Sequence, residues 1–397
     1  MCGINGFVSR QNSRDIETVN KMNNIIIHRG PDDDGVYFKN HDNYTIGMGM
    51  RRLSIIDKDN GKQPMYSDDK SKIVVFNGEI YNFQSLRDEL SRKGVLFKTD
   101  SDTEVILRLY EKEGLDSFSR LDGMFVFSLF DKKLNKVFVA RDFFGEKPLY
   151  YIKGQNELIW ASELKSIIGI LKEKPKISKQ GLNLFFKLTY IPAPFSIYEN
   201  ILKLEANHYL EFDCGSFSVS IQEIKQTFSK YHSLSKKSAK TKTKELVYNS
   251  VLSRSISDVP LGSFLSGGVD SSIISLCLSQ SKSTPIDTFS IGFDKQSFDE
   301  TSKSRLVSKL IGSKHHEFKV SAKDLSENIH EIILNFDEPF ADSSALASYL
   351  VANKAKQSVT VALTGDGGDE VFGGYNKYYI GFLNKKYTSI IPENVHN

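Results

Sequence analysis

Between Tyr44 and Trp160 the apolar residues come in short runs, Ile73–Phe76, Met124–Phe130, Val137–Ala140 and Leu149–Ile152, with turn residues between them. Runs of this length bounded by turn formers predict β-strands. In Phe83–Leu90 and Thr103–Tyr110 the apolar positions fall on a helical spacing instead. The mixture predicts a layered α+β domain with two sheets and flanking helices. Downstream of residue 260 the pattern becomes an alternation of strand and helix. Pro260–Leu265 leads to helix-like Ser272–Leu278, Ile286–Phe293 to Glu300–Leu310, and Val359–Leu363 to a glycine-rich turn. Such alternation predicts a parallel sheet with helices on its faces and ligands at the carboxyl ends of its strands. Ser266–Asp270, Ile291–Phe293 and Thr364–Glu370 all fall at those ends, which argues for one nucleotide site.

Length and charge narrow the reading. A chain of 397 residues is long for a single core, so two domains are expected. Residues 225–244 hold seven lysines and no acidic residue, and the expected division is 1–215, a basic linker or loop over 216–243, and 244–397. No aromatic ladder interleaves those lysines, so they read as a solvated connection. The balance of 52 basic and 49 acidic residues leaves +3, which points to neither a nucleic-acid partner nor a membrane partner. No apolar stretch approaches the roughly 20 residues of a membrane helix, and no basic segment with an apolar core opens the chain, so a cytoplasmic location is expected. Cys2, Cys214 and Cys277 are widely spaced and odd in number, which argues against a disulfide framework or a cysteine metal site. A homodimer is retained as an assembly state to be tested.

Ser266-Gly267-Gly268-Val269-Asp270-Ser271-Ser272 follows a strand and precedes a helix. The backbone N–H groups of a helix start point outward unpaired, and paired glycines let the chain approach a phosphate closely. The loop has no Gly-Lys-Ser/Thr ending, so it is not the Walker pattern. A bare Ser-Gly-Gly would read as a capped turn; the longer string is more specific. Cys2 would become N-terminal on removal of Met1, and the free amine, with pKa of about 8, could then serve as base for its own thiol.

The Ser266–Ser272 string resembles the pyrophosphate loop of the ATP pyrophosphatase family, which splits ATP between the α and β phosphates. Met1-Cys2-Gly3-Ile4, His28–Asp32, Arg52–Asp57, Asn77–Asn82, Ser101–Val105 and Arg141–Leu149, in this order, resemble the N-terminal-nucleophile glutaminase domain of class II amidotransferases. That resemblance implies an α+β (αββα) first domain in which Cys2 attacks a glutamine carboxamide. Arg52 would pair with the substrate α-carboxylate, Glu79 and Asp102 would receive its α-ammonium, and the Asn77 amide with the Gly78 N–H would form the oxyanion hole.

Lys314–Glu317, Asp337–Ser344 and Thr364–Tyr375 resemble the asparagine synthetase branch of the same family. This implies an α/β parallel-sheet second domain like the adenine-nucleotide α-hydrolases. Ser266, Gly267, Gly268, Asp270, Ser271 and Ser272 would hold ATP with Leu265, Ile291, Thr364 and Gly365. Asp366, Asp369 and Glu370 would serve adenylate formation, and Asp270 would hold Mg²⁺ on the departing pyrophosphate. Many members carry Glu where Asp366 stands. His315-His316 reads as a strand-edge pair, because the His-Glu-x-x-His spacing of a zinc site is absent. Lys203–Leu210 departs from the Pro-Gly turn usual before His208. Ammonia from glutamine would displace AMP from an acyl-adenylate, with aspartate giving asparagine.

Two alternatives stay open on sequence alone: a related amidotransferase acting on another carboxylate, and a short chain with glutaminase activity only. The second is suggested by family members that run well past Tyr375 and supply a further lysine to the adenylation site, whereas this sequence ends at Asn397. On that basis the second domain is expected to be C-terminally short and to expose apolar surface.

Overall fold

The computed structural model describes residues 2–10, 13–226, 234–294 and 299–391. Met1, whose removal would free Cys2, and residues 227–233 of the expected linker lie outside them. The chain forms two compact units, residues 1–235 with 330–343, and residues 236–329 with 344–397.

In the first unit twelve strands run in chain order as β1 Gly3–Arg10, β2 Asp33–Asn40, β3 Tyr44–Arg52, β4 Met65–Tyr66, β5 Lys72–Ile80, β6 Gly123–Asp131, β7 Lys136–Arg141, β8 Tyr150–Lys153, β9 Glu157–Ala161, β10 Ile201–Lys203, β11 His208–Asp213 and β12 Ser218–Glu223. They form two six-stranded sheets, in orders β10-β8-β9-β1-β3-β2 and β12-β11-β7-β6-β5-β4. The inner faces meet in a core of Ile4, Val8, Met48, Val75, Val126, Val137, Trp160, Leu210 and Phe212. Trp160 is fully buried, and its indole N–H donates to Ser128 Oγ at 3.2 Å, so burial leaves no donor unpaired.

Helices cover the outer faces. Helix α1, Ile16–Ile25, begins at Asp15, whose carboxylate accepts from the Thr18 N–H in a capping box. It lies on β3, where the sequence alternates bulk with nothing: Ile46, Met48 and Met50 are fully buried, while a Cβ at Gly47 would sit 2.4 Å from Val19. On the other sheet lie α2, Phe83–Arg92, and α3, Asp102–Glu113. Two short helices, α4 Leu164–Ile168 and α5 Lys179–Leu188, complete the part of this unit that precedes residue 235. The two-sheet α+β expectation is met. The departure at Lys203–Leu210 is resolved locally: Asn207 takes φ +60, the left-handed conformation glycine would supply, and its side-chain amide donates to Ile224 O at 3.0 Å.

The second unit opens with α6, Lys236–Arg254, so the end of the basic stretch is helical. Strands β13 Leu261–Phe264, β14 Asp287–Phe293, β15 Lys314–Val320 and β16 Val361–Leu363 form a parallel sheet in the order β15-β14-β13-β16. Helices α7 Val269–Ser281, α8 Thr301–Ile311, α9 Ala322–Asn335, α10 Ser344–Ala355, α11 Gly368–Phe372 and α12 Asn376–Ile390 complete it, except that the end of α9 belongs to the first unit. Phe289, Val351 and Val359 are buried between sheet and helix. On α12, Tyr379, Ile380, Phe382 and Ile390 are exposed.

Candidate functional site: a cysteine cavity and a glycine-rich strand edge

Cys2 sits one residue before β1, and a cavity at that point is lined by Cys2, Arg52, Leu53, Ile55, Ile56, Gln63, Phe76, Gly78, Glu79, Ser101, Asp102 and Thr103. Four elements converge there: the start of β1, the end of β3 with the loop that follows, the end of β5, and the first turn of α3. The Cys2 thiol accepts from the Leu53 N–H at 3.4 Å, and its carbonyl accepts from Arg29 Nε at 2.8 Å. Burial pushes the thiol pKa up, opposed by the hydrogen bond at Leu53.

The Arg52 guanidinium donates to three loop carbonyls, Lys58 O at 3.1 Å through Nη1, and Ile56 O at 2.9 Å and Asp57 O at 2.8 Å through Nη2. Gly61 makes room for it, since a Cβ there would fall 2.4 Å from Nη2. Of its five N–H groups, the Nε hydrogen and one on Nη1 remain for a ligand. Arg52 therefore shapes the loop over the cavity as well as offering a carboxylate fork.

Asp102 is the first residue of α3, with Ser101 as N-cap, its hydroxyl accepting from the Thr103 N–H at 3.2 Å and donating to Asp102 Oδ1 at 3.5 Å. The Asp102 carboxylate accepts from the Ile80 N–H at 3.0 Å. Burial pushes it up to about 6 despite that bond. Glu79 is raised well above the usual carboxylate range by burial and then by Asp102 beside it. Two carboxyls held together at a cost in this way form a receptor for a cation.

The edge of β5 explains Gly78. Phe125, its register partner, turns both backbone groups toward Asp142, which accepts from the Phe125 N–H at 3.1 Å and donates to Phe125 O at 2.9 Å. In an antiparallel pair, Gly78 then turns its own groups the other way. The Phe76 and Ile80 N–H groups on that side reach Gln63 Oε1 at 2.7 Å and Asp102 Oδ2 at 3.0 Å. The Gly78 N–H lies between them and opens on the cavity. No side chain fits at 78, because a Cβ would lie 2.1 Å from Met124 O. Asn77 is fully buried and outside the cavity lining; its amide nitrogen is 3.4 Å from Ser162 Oγ, and its oxygen has no hydrogen-bond partner.

In the second unit, β13 and β16 are neighbours, which brings their following loops together. Gly267 has φ +86, and a Cβ there would meet Lys303 Cβ at 2.5 Å. Helix α7 begins at Val269, so Asp270 stands in its first turn rather than in the preceding loop. Ser266 Oγ lies 3.0 Å from Ser271 Oγ and accepts from the Gly268 N–H at 3.2 Å, and Ser272 Oγ donates to Gly268 O at 2.6 Å. The turn after β16 rests on this start: a Cβ at Gly365 would meet the Ser271 nitrogen at 2.8 Å, and one at Gly368 would meet Asp270 Cγ at 2.6 Å. Thr364 donates to Asp366 at 2.9 Å, Tyr375 donates to Glu370 at 2.8 Å, and Asp369 O accepts from the Gly374 N–H at 2.9 Å. Leu265 is fully buried with its N–H on Phe289 O at 2.8 Å, and Ile291 is half-buried on β14. His315 pairs with Thr288 and Ser290, and His316 with Asp287, as expected for a strand-edge pair. Among the described residues no cluster of three or more His, Cys, Asp or Glu could hold a metal ion, and no helix is long and apolar enough to cross a membrane.

Sequence reasoning missed Leu53, Asp57, Gln63, Ser162 and Glu163, whose roles depend on partners distant in the chain. Asp57 accepts from the Asp100 N–H at 2.7 Å, and Ser162 Oγ accepts from the Ile4 N–H at 3.0 Å.

Residues 1–223 match the family model described as glutamine amidotransferase domain, and residues 242–396 the one described as asparagine synthase. With the Cys2 cavity, the first match places the N-terminal unit among the glutamine amidotransferases. A putative glutamine-hydrolysing asparagine synthetase 2 of Methanocaldococcus jannaschii is 40% identical over 413 residues, covering 97% of this chain and 78% of that protein. Glutamine-hydrolysing asparagine synthetase 1 of Bacillus subtilis is 38% identical over 389 residues, covering 95% of this chain and 59% of that protein. A solved glutamine phosphoribosylpyrophosphate amidotransferase from B. subtilis aligns with 80% of this chain and 65% of its own at 16% identity, with a TM-score of 0.42. The chain belongs to the glutamine-hydrolysing asparagine synthetase family, and it spans 59% to 78% of the length of the two relatives above.

Proposed function

We propose that the protein hydrolyses glutamine at Cys2 and uses the ammonia to convert aspartate to asparagine through a β-aspartyl-AMP intermediate, releasing glutamate, AMP and pyrophosphate. The observation that carries the reading is the convergence of a thiol, a guanidinium with two free N–H groups, and two carboxyls with raised pKa on one cavity. Glutamine presents the matching set: a carboxylate for Arg52, an ammonium for Glu79 and Asp102, and a carboxamide for Cys2. The oxyanion formed on attack would be met by the Gly78 N–H, joined by the Asn77 amide once it turns from Ser162. Water then releases glutamate from the thioester. Residues 1–215 are assigned to this chemistry and 244–397 to the synthetase.

ATP would lie on Ser266, Gly267, Gly268, Ser271 and Ser272, with Leu265, Ile291, Thr364 and Gly365 toward the nucleotide and Asp366, Asp369 and Glu370 toward the reacting carboxylate. The donors suit Mg²⁺, which commonly takes one or two carboxylates and completes its sphere from substrate phosphates and water. Asp270 would hold it, and the ion would neutralise the departing pyrophosphate. Incubation with glutamine, aspartate, ATP and Mg²⁺ should yield glutamate, AMP and pyrophosphate, and Cys2→Ala should abolish glutamate release while sparing ammonia-dependent AMP formation. Products of ADP and phosphate, or glutamate release undiminished in Cys2→Ala, would overturn the reading. Ammonia-dependent AMP formation with another carboxylic acid and none with aspartate would reassign the acceptor.

A further inference from the structure

The segment 330–343 is continuous with α9 on one side and α10 on the other, yet it packs with the first unit. Two carboxylates anchor it. Glu338 pairs with Lys203 and accepts from the Ile197 N–H at 3.3 Å. Asp337 accepts from the Leu164 N–H, and its other oxygen lies 3.3 Å from Lys165 Nζ, an ion pair in which that oxygen accepts no hydrogen bond.

The two anchors differ in what lies behind them. Lys165 Nζ is also 3.1 Å from Glu163 Oε2, and Glu163 Oε1 accepts from Arg29 Nη1 at 2.9 Å. Arg29 then holds the Cys2 carbonyl through Nε at 2.8 Å. The Glu163 and Arg29 side chains are about nine-tenths buried, at 11% and 9% exposure, so water screens their coupling little. Arg29 also packs on Gly3, where a Cβ would fall 3.0 Å from its Cδ. An unbroken run of alternating charge, Asp337, Lys165, Glu163, Arg29, thus ends on the backbone of the nucleophile. Glu338 and Lys203 grip the same segment without joining this run.

We propose that Asp337 is a positioning residue for Cys2, acting through Lys165, Glu163 and Arg29 to fix the carbonyl, and with it the thiol, of the nucleophile. Asp337 fixes which way Lys165 faces, Lys165 shares Glu163 with Arg29, and the direction of Arg29 sets where Cys2 sits at the head of β1. The proposal rests on the glutaminase reading for its consequence in turnover, and on geometry alone for its consequence in thiol reactivity.

Two readouts on the full chain separate those layers: steady-state glutaminase kinetics, and the rate at which iodoacetamide alkylates Cys2, followed by peptide mass. Asp337→Asn, Lys165→Met, the double variant and Lys203→Met are compared at matched thermal stability. Asp337→Asn and Lys165→Met are expected to lower glutaminase kcat by about fivefold or more with KM for glutamine near the parent value, since Arg52, Glu79 and Asp102 are untouched, and to change the Cys2 alkylation rate in parallel. The double variant is expected to be no slower than Lys165→Met alone, because residues in one run are non-additive. Lys203→Met, which loosens the segment at its other anchor, is expected to keep the parent kcat and alkylation rate. Unchanged alkylation in Asp337→Asn, additive losses in the double variant, or an equal loss in Lys203→Met would each overturn the proposal. A parent chain without glutaminase activity would count against the functional reading, and the alkylation rates would still decide this one.

Discussion

The Asp57 carboxylate accepts the Asp100 N–H at 2.7 Å across a separation of 43 residues, tying the loop after β3 to the turn that leads into Asp102. Its other oxygen accepts from the Asn60 N–H at 3.1 Å, and Asp57 itself holds φ +45. Asp57 thus joins the loop shaped by Arg52 to the turn carrying the ammonium receptor. Asp57→Asn tolerates the left-handed backbone but leaves a single side-chain acceptor for the Asp100 N–H and the backbone and side-chain N–H groups of Asn60. Losing one charge-assisted bond of about 1.5–3 kcal/mol should raise KM for glutamine by roughly tenfold or more with little change in kcat. An Asn variant with parent KM would count against a role for this tie.

Protonation of the paired carboxyls gives a pH signature. Asp102 is pushed up to about 6 and Glu79 is raised as well, first by burial in both cases. In their ionised forms both attract an ammonium; as pH falls through about 6, Asp102 takes a proton and the attraction weakens. KM for glutamine is therefore expected to climb as pH falls through about 6, toward about tenfold per pH unit below it. Because the incoming ammonium stabilises the ionised forms, glutamine binding near pH 6 should release protons. Calorimetry in buffers of different ionisation enthalpy measures that release, and proton uptake would contradict the assignment.

Gly78→Ala places a methyl group 2.1 Å from Met124 O and 2.7 Å from Phe125 Cα, both backbone atoms of the paired strand. A cost of about 1–3 kcal/mol is expected from overpacking, visible as a lower urea midpoint. Glutaminase kcat should fall further than stability requires, because the shift moves the N–H that faces the cavity.

At the second strand edge, Gly365→Ala is the informative change. Its Cβ would meet the backbone nitrogen of Ser271 at 2.8 Å and push on the first turn of α7. Affinity for ATP, or for pyrophosphate as the smaller probe, is expected to drop by tenfold or more while glutaminase activity is retained. Loss of both activities would point to general misfolding, and retention of both would remove the loop from the nucleotide site.

The residues that gather at the cavity, a cysteine at position two, an arginine, two acids and a glycine in a strand, were legible because the strings that carry them resemble the class II amidotransferases in order, and the chemistry of each residue type suits the role that resemblance implies. The paired sheets were legible from short apolar runs between turns. Asn207 shows how far local chemistry reaches, since it fills a glycine conformation with a residue able to do so. What sequence could not supply is the partner of each group. Glu163 was unremarkable beside Leu164 until the fold placed it against Arg29, 134 residues earlier. Asp337 entered the sequence reading only as part of the Asp337–Ser344 string, with no role of its own, and its contacts prove to be Leu164 and Lys165. Ion pairs of this separation leave no periodic trace, because only the closed fold brings them into register.

The placement of 330–343 also bears on how this protein can be taken apart. A gene fragment cut at residue 235 would look complete by strand count, and both sheets would be present. It would nevertheless strip Lys203 of its Glu338 partner and Lys165 of Asp337. Lys203, largely shielded from solvent in the intact chain, would then seek water, Lys165 would be left with Glu163, and the surface around Leu164 and Ile197 would loosen. The shortest faithful excerpt of the glutaminase is discontinuous, so grafting 330–343 back through an engineered connection is the sounder route to an isolated domain.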